Sequence, residues 1–488
     1  MIEETLSFTI TNNTNGNVPI SIFGNEADGL DNANVDTRYY WDVTSYTYES
    51  STIILVATSG GVTTTYTTSY TGTTLEDVII ALNQLGLAYF FLTTSGGSTF
   101  INVYSFDYTF GNLTIGNTTL LNTTFLPLNF NNTVLAVKVQ ADGNILFGGQ
   151  FTQYNAITYN RIVRLLPDGS VDPTFSIGTG FNDRVFDIDV QVDGKIICVG
   201  GFTSYNGTPA SKIIRLNADG SIDGTFVYGT GFTIPVIFGT SVQAQTVKVL
   251  ASGKIMVVGA MDDYNGNTLA GVVRLNSNGS IDGTFSAGGV NVATGEYCTS
   301  VAEQVDGKYI VVGNYNTFGG IPKNAIVRLN TNGAIDGTFG GTGFTLGVGG
   351  TIDVDLQTDG KIVVCGSFSA YSGTSSPNIA RINTNGTIDG TFVVGTGFDA
   401  PTINAVIYSS GKIVIGGQFT TYQGVTSNRI IKLNSDGSID TAWNVLGGFA
   451  TGEVSSISIN ASETLLYMGG SFLTFDGVTR VRACSLTA

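Results

Sequence analysis

The sequence predicts an all-β protein built mainly from repeated sheet units, and three observations predict it. Glycine accounts for 65 of the 488 residues and charged residues for only 12%, a composition typical of chains with many tight turns. A unit that reads DGKIIxVGxF, TxYNG, IIRLNxDGSIDGTF and GTGF recurs from about residue 118 onward. Runs of β-branched residues bounded by Asp-Gly and Asn-Gly pairs predict hairpins within each unit.

The first 117 residues do not repeat, and we expect them to form a small β-rich α+β domain (1–117). Runs such as TTTYTTSY alternate like strands, and LAYFFLTT and STFINVYSF predict a hairpin around residues 95–97. One helix is predicted, because Thr73 and Glu76 form a capping box before an apolar stripe that Gly86 ends.

The repeat keeps a fixed internal spacing. A turn glycine is followed after 11 residues by an aromatic residue, after 10 more by a cation, and after 11 more by a second aromatic residue. In one copy these positions are Gly194, Tyr205, Arg215 and Phe226. Each copy predicts four strands, as in VFDIDVQ, KIICVGGF, KIIRLN and SIDGTF. Chains of four-stranded units of about 50 residues are typical of β-propeller blades.

The copies predict a seven-bladed propeller over residues 118–488. Six copies are complete, and a seventh that begins near Ser462 supplies three strands. The segment Leu121–Phe125 resembles Ile222–Phe226, the fourth strand of a complete copy. We therefore expect this N-terminal strand to complete the last blade and close the ring, which would bury the exposed sheet edges.

The DGKI and LNxDGSIDGTF motifs resemble those of the delta-60 repeat family. The resemblance covers about residues 118–488, with local departures such as Met261 and Tyr315 where phenylalanine is usual. It implies a β-propeller fold and no single activity.

Length varies only in the joints between copies. The longest joint, from Phe226 to Gly253, carries TIPVIFGTSVQAQ, and the joint from Phe285 to Gly307 carries NVATGEY. Strand parity predicts that the joints and the turns between strands two and three share one face, where loop insertions usually serve recognition. The candidate binding residues on this insertion face are Tyr154, Tyr205, Tyr264, Phe318, Tyr371, Tyr422 and Phe475. The alternative is that these aromatic side chains pack between blades.

Charge and residue usage exclude several functions. The net charge of −16 makes a nucleic-acid surface improbable, and the absence of histidine excludes histidine-based catalysis and histidine-ligated zinc. The four cysteines lack CxxC spacing and lie in apolar runs, which favours buried free thiols. No apolar run approaches the length of a membrane span. We therefore predict no catalytic residue, metal, cofactor, nucleic-acid partner or membrane insertion.

Two further interpretations stay open. The repeated LNxDGSID places oxygen ligands such as Asn217, Asp219 and Asp223 close together, but the glycine position favours a hairpin turn over a calcium loop. A glycosidase that uses paired carboxylates needs no histidine. Glu296 and Glu303, near the inserted joints, are the unrepeated acids to test for that role.

The opening FTITNNTNGNVPISIFGN resembles the start of many tailed-bacteriophage virion proteins. The chain also begins without a recognisable secretion signal. We therefore expect a non-enzymatic structural or attachment protein of a virion, assembled in the host cytoplasm and oligomeric in the particle. The N-terminal domain would dock to other virion proteins, and the propeller would contact a host receptor, glycan or protein. The alternative is a bacterial extracellular or surface module whose propeller recognises a polysaccharide.

Overall fold

The computed structural model describes residues 129–233, 244–347, 350–443 and 447–487, and before them the backbone of seven strands between Leu6 and Ser105. The chain divides into two compact units, Met1–Thr119 and Leu120–Ala488. Both are built from strands, and a single turn of 3-10 helix, Val292–Thr294, is the helical element among the described residues.

The first unit contains two antiparallel sheets. Its strands are Leu6–Asn12, Gly16–Ile22, Arg38–Asp42, Ser51–Ser59, Val62–Tyr70, Ala88–Ser95 and Ser98–Ser105. The first, second, fourth and fifth strands form a four-stranded sheet, and the other three form a three-stranded sheet. Ser95 pairs with Ser98, which confirms the hairpin predicted around residues 95–97. The predicted helix between Thr73 and Gly86 lies outside the described residues.

The second unit repeats one three-stranded antiparallel sheet, and seven copies lie within the described residues. The first strands are Val134–Val139, Val185–Val190, Ala244–Val249, Tyr297–Glu303, Ile352–Leu356, Thr402–Ile407 and Val454–Ile459. The second strands are Ile145–Gly149, Ile196–Gly200, Ile255–Gly259, Tyr309–Asn314, Ile362–Gly366, Ile413–Gly417 and Leu465–Gly470. The third strands are Ile162–Leu165, Ile213–Leu216, Val272–Leu275, Ile326–Leu329, Ile379–Ile382, Ile430–Leu433 and Ala483–Thr487. The second strand lies between the other two in every sheet, and most of its residues are buried.

Each copy forms three full strands, whereas the sequence predicts four. The segment after the third strand forms only a single bridge in each of the first six sheets, as between Leu216 and Ile222. Its chain leaves the sheet at once, because Asp223 and Thr225 form a turn through hydrogen bonds from the Thr225 amide and hydroxyl to the Asp223 carboxylate. The predicted closing strand, Leu121–Phe125, lies outside the described residues.

A small hairpin, and not the single turn that the sequence predicts, connects the second and third strands. The hairpins are Gln153–Tyr154 with Ile157–Thr158, Ser204–Tyr205 with Thr208–Pro209, Asp263–Tyr264 with Asn267–Thr268, Thr317–Phe318 with Ile321–Pro322, Phe368–Tyr371 with Thr374–Ser375, Thr421–Tyr422 with Val425–Thr426, and Thr474–Phe475 with Val478–Thr479. Two joint strands, Phe232–Thr233 and Phe344–Leu346, extend the third and fifth hairpins.

A glycine lies at or next to the end of each second strand, and in the second sheet a close backbone approach requires it. In the second sheet the first strand has a β-bulge between Val185 and Asp187, which brings the Arg184 carbonyl oxygen over Gly200. A Cβ atom on Gly200 would lie 2.3 Å from that oxygen. A side chain is therefore excluded here, which explains the recurring glycine of the VGxF motif.

The first strands of neighbouring sheets contact each other in chain order, and the first strand of the seventh sheet contacts that of the first sheet. Between these two sheets, the amides of Val137 and Val139 donate hydrogen bonds to the hydroxyls of Ser456 and Ser458 (3.0 and 3.1 Å). The core consists of clusters that span neighbouring sheets, each rich in isoleucine, valine and phenylalanine.

All four cysteines are free and buried, as predicted. Burial raises the pKa of the Cys484 thiol to about 12, so this thiol stays protonated at neutral pH. None of the described helices is long and apolar enough to span a membrane.

Candidate functional site

The surface that carries length variation consists of the small hairpins and the joint segments beside them, which we call the hairpin surface. In the second sheet the carboxamide oxygen of Asn182, in the joint, accepts hydrogen bonds from the Thr203 and Ser204 amides (2.9 and 3.0 Å). The hairpin residue Asn206 accepts one from the Thr179 amide (3.1 Å). Hairpin and joint therefore form one hydrogen-bonded unit.

The seven predicted aromatic residues do not present their rings to a ligand. All are at most 2% exposed: Tyr154, Tyr205, Tyr264, Phe318, Tyr371, Tyr422 and Phe475. Their rings pack on neighbouring aromatic rings, as Tyr205 does on Phe181 with centroids 4.5 Å apart and Phe318 on Tyr315 at 5.8 Å. This corrects the expectation that they form a binding ring. Their burial fits the alternative, that these side chains pack between neighbouring units, as Tyr205 does in a cluster that spans the first and second sheets.

The five tyrosines also change the predicted geometry of the hairpins. Each tyrosine hydroxyl donates a hydrogen bond to the carbonyl of the glycine 15 residues later, in the second turn of the same sheet, as Tyr205 does to Gly220 (2.7 Å). A tyrosine side chain is too short to cross the length of the third strand. The hairpin must therefore fold back toward that turn, whereas a plain alternation of strand directions would place the two at opposite ends of the third strand.

What the hairpins expose is mainly uncharged. The second strands of the hairpins are exposed in the first six sheets, and they carry β-branched and small polar residues. Ile157 and Val425 are more than half exposed, and Ile321 is 49% exposed. Isolated apolar residues on a surface are ordinary, but here they occupy the same position in three hairpins. This surface offers hydrogen bonds and small apolar contacts to a partner.

The recurring charges hold neighbouring sheets together. Arg215 donates from Nε to the Asp223 carboxylate at 2.7 Å and from Nη1 to the carbonyl of Ser277 in the next sheet, and its guanidinium lies 4.8 Å from the Phe226 ring centroid. Lys195 adds a second ion pair to the same carboxylate at 3.0 Å. The arrangement recurs in the following three sheets. These cations are therefore engaged inside the fold.

The pKa of Asp223 reflects this network. Burial raises the pKa, but hydrogen bonds from Thr225 and the charges of Lys195 and Arg215 outweigh burial and hold it well below its usual range. The recurring aspartate is thus a permanently ionised structural group near neutral pH.

The geometry of the LNxDGSID segment is that of a turn. The Asp219 carboxylate accepts hydrogen bonds from the Ser221 amide and hydroxyl (2.9 and 2.6 Å), and the Asn217 amide group donates to the Ser221 hydroxyl (2.9 Å). Asp223 is held by cations, as described above. In the described part of the chain, no group of three or more acidic or cysteine side chains is arranged to hold a metal ion.

The two acids singled out for a glycosidase are separate and bound to backbone amides. Glu296 accepts hydrogen bonds from the amides of Asn291 and Asn316 (3.0 and 2.9 Å), which ties the inserted joint to the next hairpin. Glu303 accepts one from the Ala251 amide of the neighbouring sheet (2.7 Å). Both carboxylates therefore have a structural use.

Sequence reasoning missed four unrepeated aspartates in the first strands, two in FDIDVQ and two in IDVDLQ. Asp187 accepts a hydrogen bond from the Val247 amide (2.9 Å) and Asp189 from the Val249 amide (2.6 Å), so both link the second sheet to the third. Asp189 also pairs with Lys138 at 2.6 Å. The signal was available, because D-x-D occurs in only two of the seven first strands.

In another sheet a neutral side chain accepts the equivalent hydrogen bond from the neighbouring strand. In the sixth sheet the carboxamide oxygen of Asn404 accepts the Ile457 amide (2.8 Å) at the position equivalent to Asp187. Burial raises the pKa of Asp187 to about 7, and Asp189 adds to the shift while the Val247 amide and Lys138 oppose it. Burial likewise raises the pKa of Asp355 to about 6.

Comparison with known families supports the repeat. Six segments match the family model described as "Domain of unknown function (DUF5122) beta-propeller", at residues 140–175, 191–226, 250–285, 304–339, 357–392 and 409–442. Each match begins before the first turn glycine of its copy and ends at or next to the aromatic residue that closes the copy. A comparison with curated proteins gave no match.

Proposed function

We propose that the seven sheets are blades of one closed propeller, because the segments that match the β-propeller family model lie in the first six of them. Support comes from the contact between the first strands of the seventh and first sheets and from the hydrogen bond that Arg482 donates to the Phe130 carbonyl (2.6 Å). In this proposal Leu121–Phe125 pairs with the third strand of the last blade, on the basis of its resemblance to Ile222–Phe226.

A disulfide trap tests this closure. By the repeat, Asn122 and Ser485 correspond to Asp223 and Arg215, which lie side by side in the second sheet. We expect the variant with Asn122→Cys and Ser485→Cys to form a disulfide between these two positions, detected by mass spectrometry of unreduced peptides. A matched variant with Asn117→Cys in place of Asn122→Cys should not form it. Free thiols at both positions after oxidation would contradict the proposed strand.

We further propose that the protein is a non-enzymatic attachment protein of a bacteriophage virion. The N-terminal unit docks to other virion proteins, and the hairpin surface contacts a host receptor, a glycan or a protein. One observation carries the binding role: length variation is confined to joints beside exposed, uncharged hairpins. The recurring cations and aromatic rings are engaged inside the fold, so the hairpin surface is where a partner would be contacted. The virion role rests on the resemblance of the N-terminal sequence.

Mass spectrometry of purified particles from cells that express the full chain is the direct test. We expect the chain to copurify with particles through density gradients, at a constant ratio to the major structural protein. Cryo-EM density should then place the first unit against the particle. Recovery of the chain only from the bacterial surface or medium would overturn the virion role and favour the polysaccharide-binding module.

A further inference from the structure

A cleft on the hairpin surface, between the first and second sheets, contains one cation that the fold leaves incompletely used. Eight described residues line it, among them Asn160, Thr179, Asn182 and Ser204, and Arg161 is the one that is charged. No carboxylate lines the cleft, although the whole chain carries a net charge of −16. An anionic group would meet a cation here without an opposing acid in the wall.

The same position in other sheets shows what Arg161 does not do. Arg429, at the equivalent position in the sixth sheet, donates to the carbonyls of Gly452 and Phe449 (2.6 and 2.7 Å). Arg482 in the seventh sheet likewise donates to the carbonyl of Phe130 (2.6 Å). These guanidinium groups bind the next sheet through its backbone and are engaged there.

Arg161 turns back to its own sheet instead. Its Nη1 donates to the carbonyl of Gln150, and its Nε is buried with no partner among the described residues. Phe181, which corresponds to Phe449, lines the cleft and receives no hydrogen bond from this side chain. The cleft therefore lies where, in other sheets, a side chain bonds the neighbouring joint.

The walls of the cleft are held by hydrogen bonds. The carboxamide of Asn160 donates to the Thr179 carbonyl (2.8 Å), and the Thr179 amide donates to Asn206 (3.1 Å). Asn182 is fixed by the Thr203 and Ser204 amides. Neutral amide and hydroxyl groups suit the hydroxyls of a sugar, and a guanidinium group suits an oxygen of a carboxylate or sulfate.

We propose that this cleft binds an acidic saccharide, a sugar unit with a carboxylate or sulfate, and that Arg161 contacts its anionic group. The inference rests on the proposed recognition role of the hairpin surface and names the ligand class. The other walls supply hydrogen bonds to the ring hydroxyls.

The test uses the full chain and three soluble probes: glucuronate, glucose 6-sulfate and glucose. Affinities are measured by isothermal titration and by saturation-transfer NMR. We expect at least one charged probe to bind more tightly than glucose, and which one binds distinguishes a carboxylate from a sulfate ligand. Arg161→Ala should weaken that binding about tenfold or more. Alanine is tolerated at this backbone position, since Ala325 occupies it in the fourth sheet with a φ of 65°, close to the 70° of Arg161.

Arg429→Ala is the matched control. It removes the same charge from the same position in another sheet, so it should lower the unfolding temperature and leave probe affinity unchanged. Equal affinity of Arg161→Ala and the native chain would overturn the inference. So would equal losses in both variants, which would indicate a general effect of net charge, or a preference for glucose. Copurification with particles is measured separately, so failure of the cleft and failure of the virion role give different results.

Discussion

The Asp187 carboxylate provides the sharpest test of the energetics. Asp187→Asn keeps an oxygen that can accept the Val247 amide, as Asn404 does at the equivalent position of the sixth sheet. It removes the charge that burial opposes. We therefore expect this substitution to stabilise the fold at pH 8, although it deletes an ionisable group from a hydrogen bond.

The magnitude follows from the shift in pKa. A rise from 3.8 to about 7 spans about three pKa units, each equivalent to about 1.4 kcal/mol, which sets a ceiling of about 4 kcal/mol. Because Asp187 is only partly buried, solvent screening reduces this, and we expect a gain of about 1 to 2 kcal/mol.

The size of the gain depends on pH. The folded state holds the Asp187 proton more tightly than the unfolded state, so the native chain loses stability as pH rises from about 4 to 7. The variant lacks that loss. Urea unfolding of both proteins from pH 4 to pH 9 should show a difference near zero at pH 4 that grows to its full value above pH 7.

A matched variant compares a carboxylate that forms an ion pair with one for which no ion pair is seen among the described residues, because both substitutions keep an oxygen that accepts the backbone amide. Asp189→Asn breaks the 2.6 Å ion pair with Lys138 and should destabilise the fold at pH 8. A stability difference for Asp187→Asn that does not change with pH, or a loss at pH 8, would refute the reasoning.

Three further outcomes are expected. Gly469→Ala would place a Cβ atom 2.3 Å from the Val134 Cγ1 atom of the first sheet and should lower the midpoint of thermal unfolding by several degrees. Gly337 has open space around it, so the control Gly337→Ala should change this midpoint by no more than about a degree or two. Tyr205→Phe removes the hydrogen bond to the second turn and should cost about 1 kcal/mol in urea unfolding, and a neutral result would mean that the hydroxyl does not hold the hairpin. Hydrogen bonds and cations hold the pKa of Asp282 well below its usual range despite burial. The ionised carboxylate therefore stabilises the fold above about pH 4, and this contribution is lost as pH falls below that value. Asp282→Asn should make the free energy of unfolding less dependent on pH in acid, and an unchanged dependence would contradict this.

Local chemistry made much of the fold predictable. The Asp-Gly turns, the hairpin at residues 95–97 and the buried thiols follow from a few neighbouring residues. The fold-back of the hairpins was not predictable in this way, since it depends on a hydroxyl of Tyr205 that reaches a carbonyl at Gly220. The repeat pattern identifies acids that recur in every copy, and Asp187 and Asp355 are not among them. Their pKa values depend on contacts between sheets, which no local pattern reports.

The hydrogen bond between each hairpin tyrosine and its turn glycine has a consequence for how such a chain can evolve. The glycine lies 15 positions after the tyrosine, and the two ends of this span must meet, so one inserted residue would pull the hydroxyl away from its acceptor. New sequence can enter between copies without this penalty, as the joint around Val292–Thr294 illustrates. Insertions that create new binding contacts are therefore expected in the joints, while the segment from tyrosine to glycine keeps a constant length.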